Sequence, residues 1–208
     1  MKKVNKNIFI FVLVIFVVCL LFFLLLNNKD TSKVKKDIKT NSNTNNSNSL
    51  VLYFSVTKNT KAIAEYIQET TGSDIIEIVP ADKYSNADIN YSNQDSRATK
   101  EQKNDKARPK ISNKIDIKDY DVIYLGYPIW WNDVPKIILT LLDSYNFENK
   151  VIVPFCTSGS SDISNSVDTL RKYNNKLNIL DGKRFSASSS EDDVKNWLSS
   201  LNIEFVIK

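Results

Sequence analysis

The 208-residue chain predicts a doubly wound α/β domain preceded by a single membrane-spanning helix. Three observations predict this. Short apolar runs without polar alternation, of the kind buried on both faces of a parallel sheet, recur from Leu50 onward and alternate with amphipathic segments of helical period. An uncharged apolar run, Ile8 to Leu26, stands apart near the N-terminus. Between the two lies a polar tract without a hydrophobic residue, Thr40 to Ser49.

The apolar run is 19 residues long, enough to cross a bilayer as a helix and longer than the apolar core of most cleaved leaders. No small-residue cleavage site follows, since it ends Leu24-Leu25-Leu26-Asn27-Asn28. Val18 before Cys19 does not suit a lipid-modified cysteine either. Residues 1–28 are therefore expected to form an uncleaved anchor that meets the lipid bilayer through residues 8–26. Residues 29–49 are expected to be a flexible linker, and residues 50–208 the folded domain. Lysines flank the run on both sides, so their count leaves orientation nearly balanced. The Met-Lys-Lys start favours a domain on the outer side of the cell membrane.

Without residues 1–28 the chain carries 25 basic against 24 acidic residues, and no basic stripe interleaved with aromatics stands out. Nucleic acid is not an expected partner. Two cysteines, one of them inside the apolar run, make no disulfide framework. The absence of histidine rules out Ser-His, Cys-His and His-metal chemistry.

In chain order the expected strands are Leu50–Ser55, Ile75–Val79, Asp121–Gly126 and Val151–Phe155, with a weaker one at Leu177–Leu180. Lys61–Thr71 carries Ile63 and Ile67 one turn apart and stops at Gly72, a normal residue after a helix end. Pro135–Tyr145 opens on a proline suited to a first turn. Ile163–Tyr173 and Glu191–Leu201 complete the helices, each with an apolar stripe for the core. The polar stretch from Ala81 to Ile117 is expected to be a solvated loop with a short exposed helix near Thr99–Lys106. The other reading gives Tyr91 or Arg97 a part in a substrate pocket.

In wound sheets ligands sit beyond the C-terminal strand ends, so the loops after strands one, three and four are where chemistry is sought. The first offers Ser55, Thr57, Asn59 and Thr60 ahead of a helix N-terminus: hydroxyls, an amide, free backbone N–H groups and a favourable dipole around one spot. It lacks the glycines and Lys-Ser/Thr pair of a Walker loop and suits a phosphate monoester. An ordinary Ser/Thr helix cap would look the same. The second reads Gly126-Tyr127-Pro128-Ile129-Trp130-Trp131, an aromatic wall stiffened by proline, although either indole could instead cap the core. The third, Thr157-Ser158-Gly159, is small and lets backbone approach closely.

Together the three loops resemble the flavodoxin family, in its branch carrying a Gly-x-Pro-Ile-Trp-Trp motif, over roughly Ser49 to the C-terminus. The resemblance implies a five-stranded parallel sheet in the order 2-1-3-4-5 that binds FMN without a covalent bond. It implies Ser55, Thr57, Asn59 and Thr60 at the phosphate, with Lys58, where many members carry glycine, either adding a charge there or facing solvent. It implies Pro128, Ile129, Trp130 and Trp131 along one side of the isoalloxazine and Thr157, Ser158 and Gly159 along the other. One departure bears on function. One-electron carriers of this family turn a glycine-containing peptide toward the flavin in the loop after strand three. Here that position reads Pro-Ile-Trp-Trp, which predicts weaker stabilisation of the one-electron-reduced state.

Expected, then, is a membrane-tethered FMN redox protein that carries electrons from one redox partner protein to another through its FMN. An alternative is an oxidoreductase taking hydride from NAD(P)H to a small-molecule acceptor such as a quinone. A flavin-free surface module using the Trp130–Trp131 wall for binding is the contrasting expectation.

Overall fold

Every core strand is short, continuous and apolar, and the reason is that both faces of the sheet are covered. The computed structural model describes residues 48–201. The expected anchor and most of the linker lie outside them. Among the described residues, no helix is long and apolar enough to cross a membrane.

The strands are β1 (Ser49–Tyr53), β2 (Asp74–Glu77), β3 (Val122–Pro128), β4 (Val151–Thr157), β5 (Asn178–Ile179) and β6 (Lys183–Phe185). The helices are α1 (Asn59–Thr71), α2 (Arg97–Gln102), α3 (Lys136–Ser144), α4 (Ser164–Tyr173) and α5 (Glu191–Ser200). All named strand pairs are parallel and run β2-β1-β3-β4-β5, the order that the family resemblance implies. Side chains alternate between faces. Leu50, Leu52, Phe54, Ile123, Leu125 and Tyr127 pack with α3 and α4. Val51, Tyr53, Val122, Tyr124, Val153 and Phe155 pack with Ile63 and Ile67 of α1 and Val194 and Trp197 of α5. Gly126 has a steric role at the centre: a Cβ there would stand 2.2 Å from the Phe155 ring.

The fifth strand differs from expectation. It is split, with β5 pairing Val151 and Ile152 while β6 pairs Phe155 to Thr157. Pro154 accounts for the gap. The Ile152 carbonyl accepts Leu180 N–H on this side, and two residues on, Pro154 faces the same way with no N–H to offer. The chain steps around it through Gly182, at φ 75, where a Cβ would come within 2.4 Å of the Pro154 carbonyl oxygen.

The Ala81–Ile117 segment is not a solvated loop. Tyr84, Ala98, Ile115 and Ile117 are buried in the main core, so the segment lies against the sheet. Its helix α2 is short and starts two residues earlier than the sequence suggested. Arg97 serves the segment's own packing. Its guanidinium lies 4.0 Å from the Tyr84 ring centre and binds Asp82 and Glu101, which docks the segment.

Candidate functional site

Between Phe54 and Asn59 the chain must turn from strand to helix in four residues, and Lys58 takes the strain at φ 68. Glycine reaches this backbone region freely, whereas a side chain there costs about 1 kcal/mol. Lys58 itself is exposed, while its carbonyl accepts Ala62 N–H at 3.0 Å and starts α1. Ser55 Oγ accepts Lys61 N–H at 3.3 Å. Among the described residues, the amides of Val56 to Thr60 donate to no protein acceptor. The positive end of the 13-residue α1 thus carries a run of unused donors, the arrangement that binds anions. Thr57 and Asn59 are exposed beside it. Thr60 is buried, and its hydroxyl pairs with that of Thr157 at 2.7 Å, tying the first loop to the end of β4.

The loop after β3 is a two-residue hairpin turn. Trp130 and Asp133 exchange backbone hydrogen bonds at 2.9 and 3.0 Å, while Trp131 and Asn132 both adopt positive φ, 49 and 61. That geometry normally calls for asparagine and glycine, and a tryptophan in it is strained. The surroundings hold it in place. Tyr91 Oη donates to the Ile129 carbonyl at 3.2 Å, Gln102 Nε2 to the Trp130 and Val134 carbonyls, and Asn165 Nδ2 to the Asn132 carbonyl. Partial burial raises the pKa of the Tyr91 phenol and so favours its neutral, hydrogen-bond-donating form. The two indoles part company. Trp130 is 2 % exposed, packed edge-on against Phe54 and Tyr84, whereas Trp131 is 40 % exposed, its edge meeting Tyr91 at 5.6 Å.

These loops close one cleft of about 320 Å³. Val56, Thr57 and Asn59 line it from the first, Pro128, Ile129 and Trp130 from the second, and Thr157, Ser158 and Gly159 from the third. Ile89 and Tyr91 close it from the long segment, Ser186 and Ala187 from the turn after β6. Among the described residues, no charged one lines it. Of the twelve residues expected to hold the cofactor, eight meet here, while Ser55, Lys58, Thr60 and Trp131 are not among the lining residues. Val56, Ile89, Ser186 and Ala187 were missed. The last two follow a three-residue strand too short to leave a pattern, and only Tyr91 announced the long segment's part. Grooves of about 430 and 440 Å³ flank the outer side of β6, but charged side chains crowd them and no loop after β1 or β3 reaches them.

Chemically, the cleft offers amide and hydroxyl donors at one end and apolar and aromatic walls at the other. Among the described residues no group of His, Cys, Asp and Glu stands close enough to hold a metal. Cys156 lies next to the cleft in sequence but is buried, and burial pushes its thiol up to about 12 against the opposing field of Arg184. A nucleophilic thiolate is thereby excluded at ordinary pH.

Residues 48–201 match the flavodoxin family profile. No curated protein is significantly similar. Among solved structures, a protein from Bacteroides uniformis, provisionally described as a flavoprotein, is 37% identical with a TM-score of 0.72, over 74% of this chain and 99% of that one. A counterpart from Bacteroides eggerthii, described in the same way, is 38% identical with a TM-score of 0.69, over 74% and 97%. A Lactobacillus acidophilus flavoprotein in complex with FMN is 26% identical with a TM-score of 0.57, over 73% and 99%. The sheet order, the loops converging beyond its C-terminal strand ends and a profile match across the whole described domain agree: the chain belongs to the flavodoxin family.

Proposed function

We propose that this chain is an FMN-binding redox protein, tethered to a membrane, that transfers electrons through non-covalently held FMN. The observation that carries the reading is the cleft: a run of unused amides at a helix N-terminus on one side, and an uncharged, partly aromatic slot on the other. A phosphate monoester fits the first and a planar heterocycle the second. Thr57 and Asn59 would hold the phosphate with the loop amides. Pro128 to Trp130, Tyr91 and the Thr157–Gly159 strip would border the ring. FMN, when bound, supplies the electron-transfer chemistry, and the chain's residues orient the ring and exclude water from it. The FMN complex of the 26% identical Lactobacillus acidophilus protein supports the same cofactor.

The apolar run of residues 8–26 supports the tether, and the lysines at the chain start support an outer-side domain. The electron partner is a redox protein or a small acceptor. One observation favours a second reading, hydride transfer from NAD(P)H to a quinone-like acceptor: the loop after β3 is pinned at four carbonyls and contains no glycine, so it resists any redox-linked rearrangement.

The test uses full-length protein purified in detergent. Yellow protein with flavin absorbance is expected, and material that stays colourless after soaking in excess FMN overturns the reading. The same preparation given NAD(P)H and a short-chain quinone separates an oxidoreductase, which turns over, from a carrier, which does not.

A further inference from the structure

Arg184, in the middle of β6, is a half-buried cation whose compensating carboxylate, the exposed Asp162, feels its field without forming an ion pair with it. Among the described residues it forms no ion pair, and its Nε is buried with no hydrogen-bond acceptor. A charge removed from water in this way is destabilising unless something compensates it. Its hydrogen-bond compensation is two backbone carbonyls, beside the more distant charge of Asp162: Nη2 donates to the Ser158 oxygen at 3.0 Å and to the Gly159 oxygen at 2.8 Å.

Those two carbonyls belong to the loop that borders the cleft, and Arg184 lies behind that loop, outside the cleft wall. In a trans peptide the N–H points opposite to the C=O. With both carbonyls turned back to Arg184, the amides of Gly159 and Ser160 are directed the other way. Among the described residues neither amide donates to a protein acceptor. Ser158 N–H is bound to the Phe185 carbonyl, and Ser158 Oγ to the Ser161 carbonyl, so the loop has little freedom to turn otherwise.

We propose that Arg184 is a positioning residue for the flavin: it holds the Ser158–Gly159 loop so that two backbone N–H donors face the bound ring, and its charge lies behind them. This deepens the FMN reading and rests on it. Paired amides backed by a cation form a site for developing negative charge. A reduced flavin is more electron-rich than an oxidised one, so the arrangement favours the reduced ring. Arg184 makes no contact with the ring, and no bond to it is required. Gly159 fits the same role, because a Cβ there meets nothing within 4 Å and the backbone is left open to approach.

The test compares full-length wild type with Arg184→Met and Arg184→Lys. Without FMN, amide exchange at Gly159 and Ser160 reports the grip on the loop alone. It is expected to accelerate in both variants, since lysine keeps the charge but cannot reproduce the fixed fork. With FMN, Arg184→Met is expected to bind the oxidised cofactor about tenfold more weakly and the reduced cofactor more weakly still, so the midpoint potential falls. Arg184→Lys is expected to recover the potential but not the affinity for oxidised FMN. A folded Arg184→Met with wild-type potential and loop exchange overturns the proposal. Should Arg184→Met fail to fold, Arg184→Lys with unchanged loop exchange and FMN affinity does the same. A wild type that never binds FMN, with loop exchange still dependent on Arg184, overturns the cofactor reading and leaves the loop grip standing.

Discussion

The hydroxyl pair of Thr60 and Thr157 gives the sharpest test of how the cleft is assembled. The two oxygens lie 2.7 Å apart, and the residues are 1% and 6% exposed, so water cannot replace either partner. Replacing one threonine by valine preserves shape, but it leaves the other hydroxyl buried and unmatched, at about 1–3 kcal/mol. Replacing both removes the unmatched group as well as the bond, and the double variant is expected to lose no more than either single one. Thr60→Val and Thr157→Val should therefore couple by about 1–3 kcal/mol. The assay is urea unfolding of wild type, the two single variants and the double variant without FMN, with ΔG read from midpoints at constant slope. Additivity within about 0.5 kcal/mol would show that these hydroxyls do not depend on each other. It would refute the claim that the pair, rather than the helix cap alone, seats the first loop on β4.

Two further outcomes follow from the same geometry. At Lys58, φ 68 favours glycine, so Lys58→Gly should exceed Lys58→Ala in stability by about 1 kcal/mol; the reverse order in thermal melts would mean the turn is not left-handed in solution. Burial raises the Cys156 thiol from 9.0 to about 12, burial above all raises Tyr53 from 10.0 to about 12, and a hydrogen bond to Asp74 above all raises Tyr120 from 10.0 to about 12. Each group is kept neutral by the fold. Its contribution is complete below its unfolded value and is lost as pH rises toward 12. Unfolding free energy should accordingly be insensitive to these groups up to about pH 9 and then decline, and a profile that rises above pH 9 would contradict the assignment.

Much of the scaffold was readable from residue order. Leu50–Phe54 and Val151–Phe155 are apolar without alternation because both sheet faces are covered, and Gly72 marks the helix end because its φ of 70 excludes most side chains. Strand five was harder, since it is interrupted by a proline on its neighbour, which no pattern within Leu177–Phe185 could reveal. The Ala81–Ile117 segment misled by composition. Its buried apolar residues, Tyr84, Ala98, Ile115 and Ile117, are spaced too irregularly to announce a buried face, yet together they cover part of one side of the sheet.

The site divides along the same line. Hydroxyls before a helix, a stiff aromatic loop and a small polar loop are local chemistry, and local chemistry is written in consecutive residues. Which of those side chains face the cleft is a property of packing. Trp130 turns into the core against Phe54 and Tyr84 while its neighbour stays exposed, and the Thr60 hydroxyl turns inward to Thr157 instead of outward. Arg184 reaches the Ser158 and Gly159 carbonyls from 26 and 25 positions further along the chain. The sequence alone determined the alternation of strands and helices and the ligand edge they share, because period and turn chemistry act within a few residues. Only the tertiary structure decided the orientation of each group at that edge, because contacts between distant segments set it.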